Sequence, residues 1–295
     1  MTQMNEAQMD VNPPIDAVRD AVSRALAEDL GPDGDVSAAL IPDREARALI
    51  VAREPGVLAG TLAAQEAFLQ VDPATRVDWL VKDGEAVAAD QRLATIGGRI
   101  GSILTAERTA LNFLGHLSGV ATATRRLAEA AAATGSAQIL DTRKTIPGLR
   151  VLQKAAVRAG GGINHRMSLS EMVLLKDNHL VGIGIYEAVS RARESWPALK
   201  VEVECDRLDQ VVEAVDAGAD MVMLDNMSPE EVAVCVAKVA KRCPVEVSGG
   251  VTLETVAAYS AAGADFISVG PITRSAVSLD VSLEVRVAPD SDGFF

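Results

Sequence analysis

The chain has 295 residues and a formal net charge of −13, from 28 basic and 41 acidic side chains. This length predicts roughly two domains, or one barrel with an attached domain. Aromatic residues make up only 3%, which argues against stacking on single-stranded nucleic acid. The sequence contains no run of 18 apolar residues, so no membrane span is predicted. The scattered cysteines predict reduced thiols in the cytoplasm, with neither a disulfide framework nor a zinc site: Cys205, Cys235 and Cys243.

The first third of the chain predicts a small α+β domain. Residues 1–10 lack a signal-peptide pattern and are expected to form a frayed tail. Apolar spacing predicts a helix over residues 13–30, which Gly31 and Pro32 end. Alternating apolar residues then predict strands over 46–60 and 77–100, on either side of a short helix over 61–69. Turns are predicted at 82–84 and at Gly97–Gly98.

A long helix is predicted over residues 104–133, where Gly115 and Gly119 mark a break or a close helix crossing. After it, short apolar strands alternate with helical stretches. The predicted strands are 138–141, 172–176, 200–204, 221–225, 244–248 and 266–270, and the predicted helices are 185–194, 208–217, 229–241 and 253–262. This alternation predicts a parallel sheet built from right-handed crossovers. No GxGxxG follows the first strand, which favours an α/β barrel over a dinucleotide-binding fold.

A basic island interrupts the acidic chain between Asp141 and Leu180. Seven basic and three acidic residues give it a net charge of +4, so the other 255 residues hold −17. Such an island predicts a pocket for a small, highly anionic ligand, since nucleic acid would need a broader basic surface. Lys154 and Arg158, four apart on a predicted helix, are interpreted as charges on a solvated helix face. The clustered basic residues at segment ends are interpreted as functional: Arg143, Lys144, His165, Arg166 and Lys176.

Polar residues follow five of the six predicted barrel strands, and a glycine follows the sixth. Their joint presence predicts an active site, because buried polar groups without partners are costly and barrel chemistry collects at these strand ends. The Gly-rich turns after the last two strands offer backbone N–H groups that can hold a phosphate. The residues at the strand ends are Asp141, Arg143 and Lys144; Lys176, Asp177 and Asn178; Glu202 and Glu204; Asp225 and Asn226; Ser248, Gly249 and Gly250; and Gly270.

Among the acids, Glu204 and Asp225 are candidates to hold Mg²⁺, bind ribose hydroxyls or stabilise a developing cation. Glu202 and Glu204 project to the same face of their strand, and one of them is expected to pair with a lysine. No Ser-His-Asp or Cys-His arrangement and no HExxH motif is evident. The site therefore suggests electrostatic stabilisation of anionic substrates, with no covalent nucleophile.

Several segments carry motifs of one known family. They are ERTALNFLGHLSGVAT (107–122), DTRKTIPGLR (141–150), KAAVRAGGGINHRMSL (154–169), LLKDNHL (174–180), VEVE (201–204), MLDN (223–226), VSGG (247–250) and SVG (268–270). Together they resemble the quinolinate phosphoribosyltransferase family, also called nicotinate-nucleotide pyrophosphorylase (carboxylating). The resemblance covers about residues 15–287, and DTRKT together with HR and LLKDNH is its most specific part.

The resemblance implies an N-terminal α/β sandwich domain and an incomplete, seven-stranded α/β barrel. The expected limits are 1–112 and 113–275, with 276–295 packing back on the first domain. The seventh strand is not placed by pattern; segments 182–185 and after Ala276 are the two candidates. The implied reaction transfers a phosphoribosyl group from phosphoribosyl pyrophosphate (PRPP) to quinolinate with decarboxylation, in de novo NAD biosynthesis. It uses Mg²⁺ and yields nicotinate mononucleotide, CO₂ and pyrophosphate. A cytoplasmic homodimer, or a multiple of one, is implied, without nucleic-acid or membrane partners.

The resemblance also implies a role for each site residue. Arg108 would reach into the neighbouring subunit's site. Lys144, Glu204 and Asp225 would carry catalysis, with Glu204 and Asp225 serving the ribose and the metal. Lys144 and Lys176 would contact anionic groups, including the pyrophosphate side. The quinolinate carboxylates would be held by Arg143, His165 and Arg166, and the 5′-phosphate by Ser248, Gly249, Gly250 and Gly270.

Pro271 and Arg274 depart from the family pattern, which has a small residue and a His or Lys there; the turn itself is expected to survive. Three other functions compete with this one. A phosphoribosyltransferase for a monocarboxylate such as nicotinate would need fewer basic groups. A non-catalytic metabolite-binding relative would lack Lys144, Glu204 or Asp225. An aldolase-like phosphate-binding barrel would need a desolvated Schiff-base lysine, which neither Lys144 nor Lys176 resembles.

Overall fold

The computed structural model describes residues 11–286, so the expected frayed tail at 1–10 lies outside the described residues. Contacts divide the chain into two compact units. The described part of the first comprises residues 11–123, 146–160 and 275–286, and the second comprises 124–145 and 161–274. The predicted domain limits at residues 112 and 275 stay predictions.

The first unit contains a four-stranded antiparallel sheet in the order β12-β1-β5-β3 and a two-stranded sheet of β2 and β4. The strands are β1 (Glu45–Ala52), β2 (Gly56–Val57), β3 (Arg76–Trp79), β4 (Ala86–Val87), β5 (Arg92–Arg99) and β12 (Val281–Arg286). The turn predicted at Gly97–Gly98 is wrong, because both glycines lie inside β5. Gly97 pairs with Arg47 and Arg76 on its two neighbouring strands. A Cβ at Gly98 would lie 3.3 Å from Thr75 Oγ1, so glycine here fits a close neighbour and makes no turn.

Four helices belong wholly or largely to this unit: α1 (Ile15–Leu30), α2 (Thr61–Val71), α3 (Ile100–Ala132) and α4 (Arg150–Ala159). The end of α1 is confirmed, since Gly31 has a φ of 58° there. Of the two alternatives predicted for Gly115 and Gly119, the helix break is wrong; a close approach is present, but its partner is the non-helical segment 277–279 and not a second helix. Leu279 donates its backbone N–H to the Gly115 carbonyl (2.9 Å), and a Cβ at Gly119 would lie 2.1 Å from the Val277 carbonyl oxygen. The two glycines admit an extended segment of backbone, and the helix continues past them.

The second unit is built on a six-stranded parallel sheet in the order β6-β11-β10-β9-β8-β7. Its strands are β6 (Gln138–Leu140), β7 (Val173–Leu175), β8 (Val201–Cys205), β9 (Met221–Asp225), β10 (Val245–Ser248) and β11 (Phe266–Ser268). Its helices are α5 (Asp177–Leu180), α6 (Ile185–Ser195), α7 (Leu208–Asp216), α8 (Pro229–Val239), α9 (Val256–Ala261) and α10 (Pro271–Arg274). The six predicted strands are confirmed, and so is the α/β fold class with a separate antiparallel sheet.

The seventh barrel strand is not confirmed. Ile163 forms a single parallel bridge with Leu140 at the β6 edge of the sheet, through an N–H bond to the Ile139 carbonyl of 2.9 Å. Neither suggested position is a strand of this sheet: residues 182–185 form a turn and the start of α6, and the chain after Ala276 leads to β12. The single bridge is too short to give a strand pattern in the sequence.

The core consists mainly of Ala, Val, Leu and Ile, as the scarcity of aromatics requires. Cys205, Cys235 and Cys243 are free, and burial raises the pKa of the Cys205 thiol to about 12. The solvated role predicted for Lys154 is wrong, since this side chain is fully buried on α4. Within residues 11–286, the structure has no helix that combines the length and apolar character of a membrane span.

Candidate active site

The carboxyl ends of parallel strands meet at one edge of a sheet, and the predicted site residues of the second unit collect there. At β7 and β8, the Lys176 ammonium forms an ion pair with the Glu204 carboxylate. The pairing of one β8 glutamate with a lysine is therefore confirmed. The Lys176 side chain is 41% exposed and that of Glu204 is 15% exposed, so the pair lies at the surface of the sheet edge. An anionic ligand that reaches it would meet an ammonium already oriented.

At β9 and β10, one tight loop fixes the next acid. Asn226, with a φ of 58°, donates its side-chain amide to Asp225 Oδ2 (2.6 Å) and its backbone N–H to the Ser248 carbonyl (2.9 Å). Gly249 has a φ of 91°, and a Cβ there would lie 2.3 Å from Asn226 Oδ1. Gly250, with a φ of 62°, has open space around it. The Ser-Gly-Gly turn thus packs tightly against Asn226 at Gly249 and leaves open space at Gly250.

At β11 and β6, Gly270 lies against the lysine of the DTRKT motif. A Cβ at Gly270 would lie 3.1 Å from Lys144 Cδ, and the Thr273 hydroxyl donates to the Lys144 carbonyl (2.9 Å). The backbone N–H groups of Thr273 and Arg274 donate to the Gly270 carbonyl. The turn after Gly270 is therefore present, since Pro271 begins the short helix α10, a position that suits proline.

The chain between β6 and β7 is held by a buried aspartate. Asp141 is fully buried and accepts the Asn164 side-chain amide at Oδ2 (2.6 Å) and the His165 backbone N–H at Oδ1 (2.9 Å). Arg166 is next along, and one of its guanidinium nitrogens, Nη1, donates to the Met172 carbonyl (2.9 Å). Desolvation and the neighbouring Arg143 lower the pKa of Arg166. Two guanidinium groups that repel each other in a half-buried setting form a site that favours a dianion.

Behind this cationic surface lies a cluster that sequence reasoning assigned only in part. His165 Nε2 lies 3.0 Å from Glu202 Oε2 and 3.5 Å from Glu246 Oε2, and the Ser268 hydroxyl donates to Glu246 Oε1 (2.5 Å). Both glutamates are fully buried. Burial raises the pKa of Glu202 to about 7, and burial together with Glu202 raises the pKa of Glu246 well above its usual range. Burial and the closeness of the two carboxyl groups therefore both favour their protonated forms.

Glu246 and Ser268 were missed, although the sequence offered a signal. VEVE on β8 and VEVS on β10 each place a glutamate in an otherwise apolar strand, and alternate strands of a barrel fill the same interior layer. His165, Glu202 and Glu246 could together hold a metal ion, since one ligand atom from each lies within 4.8 Å of the others. This group differs from the predicted metal residues, Glu204 and Asp225.

Arg108 lies on α3 in the first unit, and its predicted reach into a neighbouring subunit stays a prediction. A cavity of about 300 Å³ in the first unit is lined by residues that include Arg24, Glu28, Asn112 and His116. It contains none of the predicted site residues. The chemistry indicated by charge and strand ends is thus concentrated at the sheet edge of the second unit.

Fold and site together define an α/β protein whose second unit has a six-stranded parallel sheet with charged residues at its carboxyl edge. The chain belongs to the quinolinate phosphoribosyltransferase family. The family model for "Quinolinate phosphoribosyl transferase, N-terminal domain" matches residues 33–118, and that for the C-terminal domain matches residues 120–284. The family predicted from the motifs is therefore confirmed.

Individual relatives agree over nearly the whole length. The "Nicotinate-nucleotide pyrophosphorylase [carboxylating]" of Mycobacterium leprae is 40% identical over 281 residues, which cover 92% of this chain and 98% of the relative. The "Probable nicotinate-nucleotide pyrophosphorylase [carboxylating]" of Bacillus subtilis is 38% identical over 268 residues, covering 90% and 92%. The solved nicotinate-nucleotide pyrophosphorylase from Francisella tularensis superposes with a TM-score of 0.90 at 41% identity, covering 94% and 99%.

Proposed function

We propose that this chain transfers the phosphoribosyl group of PRPP to quinolinate and releases CO₂ and pyrophosphate, giving nicotinate mononucleotide for de novo NAD biosynthesis. Family membership supports the reaction class. The choice of substrate rests on two guanidinium groups near each other, since Arg143 helps desolvation to lower the pKa of Arg166, and on Lys176 at the same sheet edge. Quinolinate is a dianion, and planar guanidinium groups bind carboxylates in bidentate fashion.

The residues divide the work by charge. Arg143 and Arg166 receive the quinolinate carboxylates, and His165 lies directly before Arg166 in the same site. Lys144 and Lys176 contact the anionic groups of PRPP on the pyrophosphate side. The 5′-phosphate is bound at the Gly-rich turns by Ser248, Gly249, Gly250 and Gly270.

The acids of the site act on the sugar. Loss of pyrophosphate leaves an oxocarbenium-like centre, which the carboxylates of Glu204 and Asp225 stabilise electrostatically. Attack by the pyridine nitrogen then makes the ring cationic, and this charge stabilises the carbanion that remains when the adjacent carboxylate leaves as CO₂. A proton from solvent then binds to that carbon and gives nicotinate mononucleotide. Positioning and charge suffice, with Lys144 close to the departing anion.

We also propose that the reaction uses Mg²⁺. This ion is commonly held by one or two carboxylates together with substrate phosphates, and Glu204 and Asp225 offer such a set. Lys176 already neutralises Glu204, so a metal at Glu204 would compete with the ammonium unless PRPP draws Lys176 away. Bound Mg²⁺ would neutralise charge on the leaving pyrophosphate.

We further propose that the enzyme works in the cytoplasm as a homodimer or a multiple of one, with Arg108 completing the neighbouring site. The three free cysteines suit a reducing compartment. Mixing Arg108→Ala subunits with subunits mutated at Lys144 tests the shared site. If each site needs residues from both chains, mixed dimers regain activity that neither variant has alone.

The reaction is tested by mixing purified protein with quinolinate, PRPP and Mg²⁺ and following nicotinate mononucleotide by absorbance. Nicotinate serves as the parallel substrate and Arg143→Ala as the control variant. Product from quinolinate alone, lost in the variant, is the expected result. Product from nicotinate alone would move the protein to monocarboxylate chemistry, and binding of quinolinate without any product would favour a non-catalytic role.

A further inference from the structure

The hydrogen bonds of the His165 ring determine its tautomer. The Arg166 backbone N–H donates to His165 Nδ1 (2.8 Å), so this nitrogen carries no hydrogen. In the neutral ring the hydrogen therefore lies on Nε2, which donates to Glu202 Oε2 (3.0 Å). Both ring nitrogens are thus used within the protein, and the side chain is only 7% exposed. The ring has no nitrogen left to donate to a substrate carboxylate.

The buried carboxyl groups hold this ring from behind. Glu202 accepts from Nε2, Glu246 lies 3.5 Å from the same nitrogen, and Ser268 fixes Glu246 through its hydroxyl. Glu202 Oε1 and Glu246 Oε2 have no hydrogen-bond partner in the described structure, and buried polar atoms in this state are costly. On the other side, the ring fixes the backbone of Arg166.

We infer that Glu202 and Glu246 are positioning residues that lock the His165 imidazole, and that His165 acts on quinolinate only by fixing the Arg166 backbone. This inference rests on the proposed function, because Arg166 is taken as the carboxylate-binding group. The chain of contacts runs from Ser268 through Glu246 and Glu202 to the ring, and from Nδ1 to the Arg166 N–H. The Arg166 backbone is thereby held in place, and its guanidinium extends from that backbone toward the ligand.

The geometry argues against reading the same cluster as a metal site. A metal on Nε2 would have to displace its hydrogen while Nδ1 still accepts from Arg166, which would leave an anionic imidazolate. Otherwise the Arg166 contact would break. Zn²⁺ added to the purified protein is therefore expected to leave the His165 signals unchanged.

The direct test is nitrogen NMR of the full chain labelled with ¹⁵N-histidine, with His165 assigned through His165→Gln. The expected spectrum is that of a neutral ring with hydrogen on Nε2, unchanged by saturating quinolinate. A change in its protonation or tautomer on adding quinolinate would make His165 a direct ligand and overturn the inference. A shift on adding Zn²⁺ would overturn it in favour of a metal site.

Variants of Glu202 test the functional consequence. Glu202→Leu removes the acceptor, and we expect the KM for quinolinate to rise roughly 10- to 100-fold, while the KM for PRPP changes less than about 3-fold. Glu202→Gln keeps an acceptor oxygen and should stay within about 3-fold of wild type for both substrates. Equal losses for both substrates in Glu202→Leu, or a Glu202→Gln variant as impaired as Glu202→Leu, would contradict positioning.

Different measurements test the proposed reaction and the positioning role of Glu202 and Glu246. If the wild-type chain turns over no quinolinate, the proposed function fails, but the NMR spectrum without substrate still decides the state of His165. Should Glu202→Leu not fold, Glu202→Gln and the wild-type spectrum decide the question. A His165 ring that exchanges between tautomers in the wild-type protein would refute the lock.

Discussion

Replacing Gly249 with alanine tests the geometry of the proposed phosphate loop. The φ of 91° is unfavourable for any residue with a Cβ and costs about 1–2 kcal/mol. The new Cβ would also lie 2.3 Å from Asn226 Oδ1 and 2.8 Å from the Asn226 backbone nitrogen. The side chain can rotate, but the backbone nitrogen is fixed by its bond to the Ser248 carbonyl. The loop must therefore shift, and Asp225 loses the amide that orients it.

We expect Gly249→Ala to lower the free energy of unfolding by about 2–5 kcal/mol, from the backbone cost of about 1–2 kcal/mol plus overpacking of about 1–3 kcal/mol. The KM for PRPP should rise roughly 10- to 100-fold, which corresponds to losing one hydrogen bond to a charged phosphate. Gly250→Ala is the matched control, since its φ of 62° carries the same kind of cost but its Cβ would have open space. Urea unfolding and steady-state kinetics of both variants check this. A Gly249→Ala protein no worse than Gly250→Ala would refute the reasoning.

Two further predictions concern stability. Gly119→Ala in α3 should destabilise the protein by about 1–3 kcal/mol, because its Cβ would lie 2.1 Å from the Val277 carbonyl oxygen. Gly101→Ala in the same helix, without a close neighbour, should be neutral or stabilising by up to about 1 kcal/mol; equal midpoints of thermal unfolding would contradict this. Burial raises the pKa of Glu202 to about 7 from 4.5, so the stability it contributes is complete below about pH 4.5 and is lost as pH rises through 7. From pH 5 to pH 8, wild type should lose about 3 kcal/mol relative to Glu202→Gln, and parallel urea-unfolding profiles would count against the buried acid.

The sequence allowed prediction of elements whose pattern repeats. All six strands of the parallel sheet and the helices between its later strands lie within about three residues of their predicted limits, because alternating β and α segments carry two distinct periods. The α9 helix begins later than predicted, since Thr252 and Thr255 first form a hydrogen-bonded turn. The turn predicted at Gly97–Gly98 and the helix break predicted at Gly119 were wrong for the same reason. Glycine serves close approach as well as turns, and only the neighbouring backbone decides which.

Charge was harder to interpret than period. Lys154 and Arg158 lie four residues apart on one face of α4. Lys154 is nevertheless fully buried, whereas the Arg158 guanidinium donates to the Asn12 carbonyl (3.2 Å). Helical spacing shows that two residues share a face, but what covers that face depends on tertiary packing. The ion pair of Lys176 with Glu204 was predictable, because both follow neighbouring strands at the carboxyl edge.

The site has two layers that differ in how the sequence reveals them. The outer layer contains Lys176, Glu204 and Asp225 at strand ends, where polar residues interrupt apolar runs and are easily recognised. The inner layer contains Glu202 and Glu246, which stand within the strands and are fully buried. Their desolvation is partly offset by the hydrogen bonds of Glu202 to His165 and of Glu246 to Ser268. Substitutions in the outer layer should change the charge of the site and the salt dependence of substrate binding. Substitutions in the inner layer leave the charge of Arg166 in place and should alter the direction in which its guanidinium points. Preorganisation of this kind is therefore measured as a rise in the KM for quinolinate that exceeds the rise in the KM for PRPP, since the outer-layer residues are assigned to PRPP and its sugar.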